Sequence, residues 1–483
     1  MRDFFILFSL LIIVGCSNGS DPAPEPEPIF EPEPDFGFPS TDLWGEDISY
    51  QSFQASDKTK IDSLAKGPNG EICYVLREAS VEDLTAELSS WDSRVQCIDA
   101  LHSNILNHQR TGKGILKDVT FSDDGNIIIA ELIDAPSENT STRFFLKLSV
   151  YSNSGTLLEE SILEDPASQE ERYYYSVSDG EVTREELPDI VIDDKPVFVS
   201  SAKVSLKWHN NALYLLAYSY GLKLYKFDIG LQSEWDVQVM PAYTWLWTTS
   251  LQNDAAFTIN DMGEIFVAFE LFAEDADIYE MHFSRNLNKN NDLGDNAVSV
   301  YTTEGQYQRT ILLGKDEYTE KLTGIVYHDN KLWLGASVRH EKPDATSSTT
   351  EWDLLLMSAW PDDGSIVDYH LIDYDKEDIA TDFNVLPNGN FLFAGTSGYI
   401  QVDTNSQVSE GNGVILELSQ EGEILRKSIM SQPRNVVTQS ILPMNNNEIL
   451  FTNIFDGPIT HTCDNDNSLC YNKASFGIAT LRD

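Results

Sequence analysis

Five cysteines, eight histidines and a large excess of carboxylates are the side chains of this 483-residue chain from which chemistry could be built. Cys16 stands alone near the start, while Cys73, Cys97, Cys463 and Cys470 form an even set of four. In an oxidising compartment such a set reads as a disulfide framework. Cys463 and Cys470 enclose the polar run Asp464-Asn465-Asp466-Asn467-Ser468-Leu469. That loop is short enough to close readily, and a disulfide is expected across it. His102, His108, His209, His282, His328, His340, His370 and His461 show no metal-ligand spacing, and no His-Glu-x-x-His, Gly-x-Ser-x-Gly, Walker loop or Gly-x-Gly-x-x-Gly occurs. Asp464 to Asn467 offers oxygen ligands but lacks the glycine and distal glutamate of a calcium loop. It reads as a solvated turn, and no metal and no cofactor are expected. Catalytic residues stay unassigned, because carboxylates brought together from separate strands leave no local signature.

Two aromatic clusters are candidates for binding. Tyr173, Tyr174 and Tyr175 are consecutive, so they cannot all face one side of a strand, and amphipathic rings turned outward favour recognition. Trp245 and Trp247, in Tyr243-Thr244-Trp245-Leu246-Trp247, could stack on sugars or peptides or pack between repeats.

Cys16 takes its meaning from what precedes it. Met1-Arg2-Asp3 leads into an apolar run from Phe4 to Val14, far short of the roughly 20 residues that span a bilayer. A charged tip, a short apolar stretch and small residues read as a secretory signal. Leu11-Ile12-Ile13-Val14-Gly15-Cys16 resembles the lipobox of bacterial lipoproteins, which implies removal of residues 1–15 and lipidation (palmitate) of Cys16 as the new N-terminus. Ser17 after the cysteine, rather than aspartate, implies by the same resemblance the outer membrane, with the domain facing the periplasm or the cell surface. Residues 16–40 carry Pro22-Ala23-Pro24-Glu25-Pro26-Glu27-Pro28 and Glu31-Pro32-Glu33-Pro34. Proline at every second position removes backbone donors and fixes φ, so this segment is expected to be an extended tether.

With 32 Lys+Arg against 78 Asp+Glu, the formal charge is −46. A field of that sign repels nucleic acid and anionic headgroups, which excludes nucleic acid as a partner. The membrane contact expected is the lipid anchor alone.

The scaffold follows from a repeated phrase: an apolar stretch, an Asn/Asp/Gly turn, then β-branched or aromatic residues. It centres on Gly70, Gly125, Asn211, Gly263, Asn330, Gly389 and Asn447. These turns suit the positive φ of tight hairpins. A second hairpin follows in most copies, as at Gln420-Glu421-Gly422 and Asp362-Asp363-Gly364. Two hairpins make one four-stranded sheet per repeat, and sheets of this size arranged radially resemble bacterial β-propellers in architecture, without the diagnostic dipeptides of a named family. The expectation over residues 41–483 is a seven-bladed, all-β propeller. Six- or eight-bladed rings and paired β-sandwiches remain alternatives. The last repeat stops after three strands, and Asp47 to Phe53 has no hairpin partner, so the N-terminal strand is expected to complete the last sheet. Between Gly125 and Asn211 the spacing is 86, and the excess, about 164–200, reads as an inserted hairpin. By the same count Cys73 falls on the second strand of its repeat and Cys97 on the fourth. Strands two apart lie about 9–10 Å from each other, beyond the roughly 7 Å reach of a disulfide, so free thiols are expected there.

The functional expectation is a binding or scaffolding protein that engages a protein or a glycan through one propeller face. A carbohydrate-active hydrolase or lyase with carboxylates in the central funnel, and a structural surface lipoprotein, are the alternatives.

Overall fold

The computed structural model describes residues 48–52, 59–78, 92–101, 103–110, 114–135, 144–164, 173–178, 181–186, 191–192, 195–196, 198, 202–219, 221–240, 255–271, 279, 296–315, 318–341, 350–373, 378–401, 409–430, 436–444, 448–455 and 473–480. Among them are seven four-stranded antiparallel sheets. The first holds Thr59–Lys66, Ile72–Glu78, Asp92–Ile98 and Asn104–Arg110, and the second Ile115–Phe121, Ile127–Asp134, Phe144–Tyr151 and Leu157–Ile162. Lys203–His209, Ala212–Tyr218, Leu222–Phe227 and Ser233–Met240 form the third. Ala255–Ile259, Ile265–Glu270, Asn296–Tyr301 and Tyr307–Leu313 form the fourth. The fifth comprises Thr319–His328, Lys331–Glu341, Thr350–Ala359 and Ile366–Ile372, and the sixth Ile379–Val385, Phe391–Gln401, Ser409–Leu418 and Ile424–Met430. The seventh is composite. Val436–Pro443, Glu448–Phe455 and Lys473–Thr480 are joined at the outer edge by the N-terminal strand Ile48–Ser52, whose register runs from Ile48 opposite Ala479 to Ser52 opposite Ser475.

Strand order within each sheet follows from turn chemistry. Asn210-Asn211 and Asp329-Asn330 each place two consecutive residues at positive φ, between 49° and 61°, as a two-residue hairpin turn demands. Gly70, Gly125, Gly263 and Gly389 sit at φ 79–87°, the left-handed position closing a three-residue hairpin loop. Most second hairpins use glycine in the same way, but the third sheet uses Leu231 at φ 55°. Its side chain is buried among the residues packed between the second and third sheets, which offsets the steric cost of that conformation.

Packing explains the wholly apolar second strands. In Ala212–Tyr218, Leu213, Leu215 and Ala217 pack toward the second sheet, whereas Ala212, Tyr214, Leu216 and Tyr218 pack toward the fourth. A strand buried on both faces loses the polar alternation of a half-exposed one. One apolar cluster lies between each pair of consecutive sheets, and the seventh sheet meets the first through Leu442, Leu450, Ile61, Tyr74 and Leu76. The sheets therefore follow one another around a closed ring, the β-propeller arrangement, and the paired-sandwich alternative fails. Between the second and third sheets, Tyr173–Ser178 pairs antiparallel with Glu181–Glu186.

The cysteine expectation is corrected. Cys73 and Cys97 are disulfide-bonded, with a Cα–Cα separation of 4.1 Å. Asp92–Ile98 is the third strand of its sheet, not the fourth, and it pairs directly with Ile72–Glu78 so that Cys73 stands opposite Cys97. The sequence count had placed an extra strand before Asp92. Cys463 and Cys470 lie outside the described residues. A bridge over a sequence separation of 24 is worth about 3 kcal/mol in chain-entropy terms. Cys73→Ala/Cys97→Ala should lower the thermal midpoint, and an unreduced digest of the natural protein should yield the linked peptide.

Candidate functional site

The antiparallel order gives the ring two unlike ends. Strands one and two, and strands three and four, are joined at one end by tight turns such as those at Gly125, Gly155, Asn211 and Gly263. At the opposite end the chain passes between strands two and three, and from each sheet to the next. The long connections all leave and return there: 79–91, 136–143, 163–202, 241–254, 271–295, 342–349, 402–408 and 456–472. The Tyr173–Ser178 hairpin lies between Leu157–Ile162 and Lys203–His209, whose facing ends are both at this end. The backbone of Tyr173, Tyr174 and Tyr175 is described but their side chains are not, and Cys16, Trp245 and Trp247 lie outside the described residues.

The innermost strands carry a charged cluster that the sequence reading did not single out. Lys207 of the third sheet interacts electrostatically with Asp118 of the second and Asp382 of the sixth. Asp118 Oδ1 accepts from the Ser63 hydroxyl of the first sheet and from the Val119 amide at 2.9 Å, and Oδ2 accepts from the Leu206 amide of the third sheet at 2.6 Å. Asp382 repeats the pattern. Its Oδ1 accepts from Phe383 N at 2.8 Å, and its Oδ2 from Ile441 N of the seventh sheet, also at 2.8 Å. Both aspartates follow a β-bulge in the innermost strand. Lys207 donates to the Phe257 carbonyl of the fourth sheet, with its ammonium 5.1 Å from that ring's centroid.

Burial dominates the electrostatics. It pushes Asp118 and Asp382 up to about 6, against the opposing pull of their hydrogen bonds and of the Lys207 charge. It lowers Lys207 to about 8, while Asp382 and then Asp118 pull it back up. The aspartates' oxygens are engaged by amides of adjacent sheets, so the arrangement ties the ring together rather than presenting free carboxylates to a substrate. A signal was available in the repeat: Ser63, Asp118 and Asp382 each stand seven residues before the turn glycines Gly70, Gly125 and Gly389.

The sign of the pH effect follows. Between the ordinary aspartate value and about 6, the folded state holds more protons than the unfolded chain, so this cluster's contribution to stability falls as pH rises through that window. Asp118→Asn removes one such group. The natural protein should therefore lose more stability than the variant between about pH 4 and pH 6.5, as read from urea midpoints; equal losses would contradict the assignment.

No protein-family model and no curated protein matches this chain. Among solved structures it is similar to an ulvan lyase of a new polysaccharide lyase family bound to -[GlcA(1-4)Rha3S]-, at 9% identity over 90% of this chain and 96% of that one, with a TM-score of 0.51. A second structure of that lyase gives the same identity and coverage and a TM-score of 0.50. A streptogramin B lyase matches at 10% identity over 89% of this chain and 97% of that one, with a TM-score of 0.44. At such identities the likeness is one of fold, and the fold is a β-propeller.

Proposed function

We propose that this chain is a lipid-anchored protein of the cell envelope whose seven-bladed ring binds a protein or a glycan through the end that gathers the long connections. The observation that carries this reading is the contrast between the two ends. One is closed by turns of minimal length, which leave little to vary. The other, among the described residues, is where the strands flanking the long connections end, and the hairpin bearing Tyr173–Tyr175 lies between two of them. Loops held on a rigid scaffold are where recognition concentrates. The lipobox-like Cys16 and the Pro/Glu tether support a place at the outer membrane, where the ring would stand off the lipid surface. A glycan is a reasonable ligand for this architecture, since the similar ulvan lyase structure holds a saccharide.

The test is capture from envelope extract and on a polysaccharide panel, followed by analysis of what is retained. A ligand held intact supports binding. A glycan that is shortened on incubation would replace this reading with the hydrolase or lyase alternative.

A further inference from the structure

Large apolar side chains left in water are gathered at one end of the ring. Ten are exposed among the described residues, and nine of them lie at the end closed by tight turns. From the first sheet to the sixth they include Leu101, Leu157, Ile229, Met262, Trp360 and Ile424, one from each. The tenth, Leu371, lies toward the opposite end. A single exposed apolar side chain needs no explanation, but one at the same end of six successive sheets does. Several are held in place by their own turns: Asp99 Oδ1 accepts from the Leu101 amide at 2.8 Å, and Asn260 Oδ1 from the Met262 amide at 3.1 Å. Asp228 Oδ1 accepts from the Gly230 and Gln232 amides at 2.9 and 2.8 Å, fixing the turn that carries Ile229.

A second observation is where the N-terminal part of the chain joins the ring. Glu448 opens the second strand of the seventh sheet at the tight-turn end and stands opposite Thr480. Ile48 stands opposite Ala479, one residue before Thr480. The chain therefore enters the ring at the tight-turn end. Ile48 takes the place there that Leu157 and Ile424 hold in their sheets, as first residue of the outermost strand. Residues 16–47 can span at most about 110 Å. A connection of that length holds the ring at roughly millimolar concentration beside whatever Cys16 is fixed to, so a contact too weak to form from free solution is still made.

We propose that the tight-turn end of the ring rests on a zwitterionic lipid surface. This second membrane contact depends on the reading of Cys16 as a lipid anchor, and it turns the long connections away from the membrane. Side chains spaced around a ring suit a lipid surface, which receives each one separately. A protein partner needs a contiguous, complementary patch with a desolvated centre. Trp360 fits the headgroup layer in particular, because an indole ring joins an apolar body to a polar N–H. The formal charge of −46 sets the lipid class: anionic headgroups repel the ring, whereas zwitterionic ones do not.

The test uses the full lipidated chain on vesicles of phosphatidylcholine and phosphatidylethanolamine that carry a radiolabelled lipid. A photo-crosslinking side chain is placed at position 229, 360 or 134; all three are exposed, and Asp134 ends its strand at the opposite end of the ring. Flotation with the vesicles reads the anchor independently of the crosslink. Labelled-lipid adducts are expected from positions 229 and 360 at a yield at least about tenfold above that from position 134. Replacing part of the phosphatidylcholine by phosphatidylglycerol should lower the yield, most of all at low salt. A chain that floats but gives equal yields from the three positions, or more from position 134, would overturn the inference and leave the anchor reading standing. In envelope membranes, protein adducts in place of lipid adducts at positions 229 and 360 would overturn it too. Failure of the natural chain to float would remove the anchor reading, and the inference with it.

Discussion

Removal of residues 1–54 is expected to lower the thermal midpoint by on the order of 10 °C, while removal of residues 1–40 leaves it nearly unchanged. The shorter deletion takes away only residues 1–40 with their Pro/Glu run, whose proline spacing precludes ladder hydrogen bonds. The longer one takes away Ile48–Ser52, which pairs along its whole length with Lys473–Thr480. Without it the seventh sheet has three strands, and Lys473–Thr480 becomes an unpaired edge, a liability for aggregation as well as stability. Loss of a whole paired strand is a large share of a net stability of about 5–15 kcal/mol. The ring's closing contact, in which Leu450 and Leu442 meet Ile61 and Tyr74, belongs to the sheet that loses its fourth strand. Equal midpoints for the two truncations would mean that the terminal strand is not what latches the ring.

The second large effect is one of place rather than stability. Cys16→Ser should abolish lipid incorporation and release the protein from the membrane fraction while the domain stays folded. A single acyl chain holds a protein only marginally, and stable anchoring takes more than one lipid signal. If Cys16 carries the anchor, its replacement releases the chain, since the formal charge of −46 repels anionic headgroups. Palmitate labelling and fractionation decide the matter: equal incorporation by both proteins would rule the anchor out.

The sheets were legible because the turns are chemically explicit. Asn210-Asn211, Asp329-Asn330 and the glycines at 70, 125, 263 and 389 occupy the positive-φ positions their residue types suit. The N-terminal strand was legible because Asp47 to Phe53 has strand character and no hairpin partner of its own, and Ile48–Ser52 pairs with Lys473–Thr480. The pairing of Cys73 with Cys97 was misread because the stretch after Glu78 was counted as a strand, which moved Cys97 one strand outward. Asp118, Lys207 and Asp382 were missed for a different reason: a ring brings together residues that sequence keeps far apart, and only alignment of the repeats reveals the shared position of the two aspartates. Of the aromatic candidates, Tyr173 to Tyr175 fall on a strand that pairs with Glu181–Glu186.

The sharpest test of where a ligand binds uses a photo-crosslinking side chain at one of two exposed positions. Asp134 ends its strand on the side of the long connections, whereas Met262, 76% exposed, sits in a tight turn at the opposite end. Irradiation in envelope extract should give a defined adduct from position 134 and none from position 262. An adduct from position 262 alone would place the ligand on the turn end and contradict the proposed binding face.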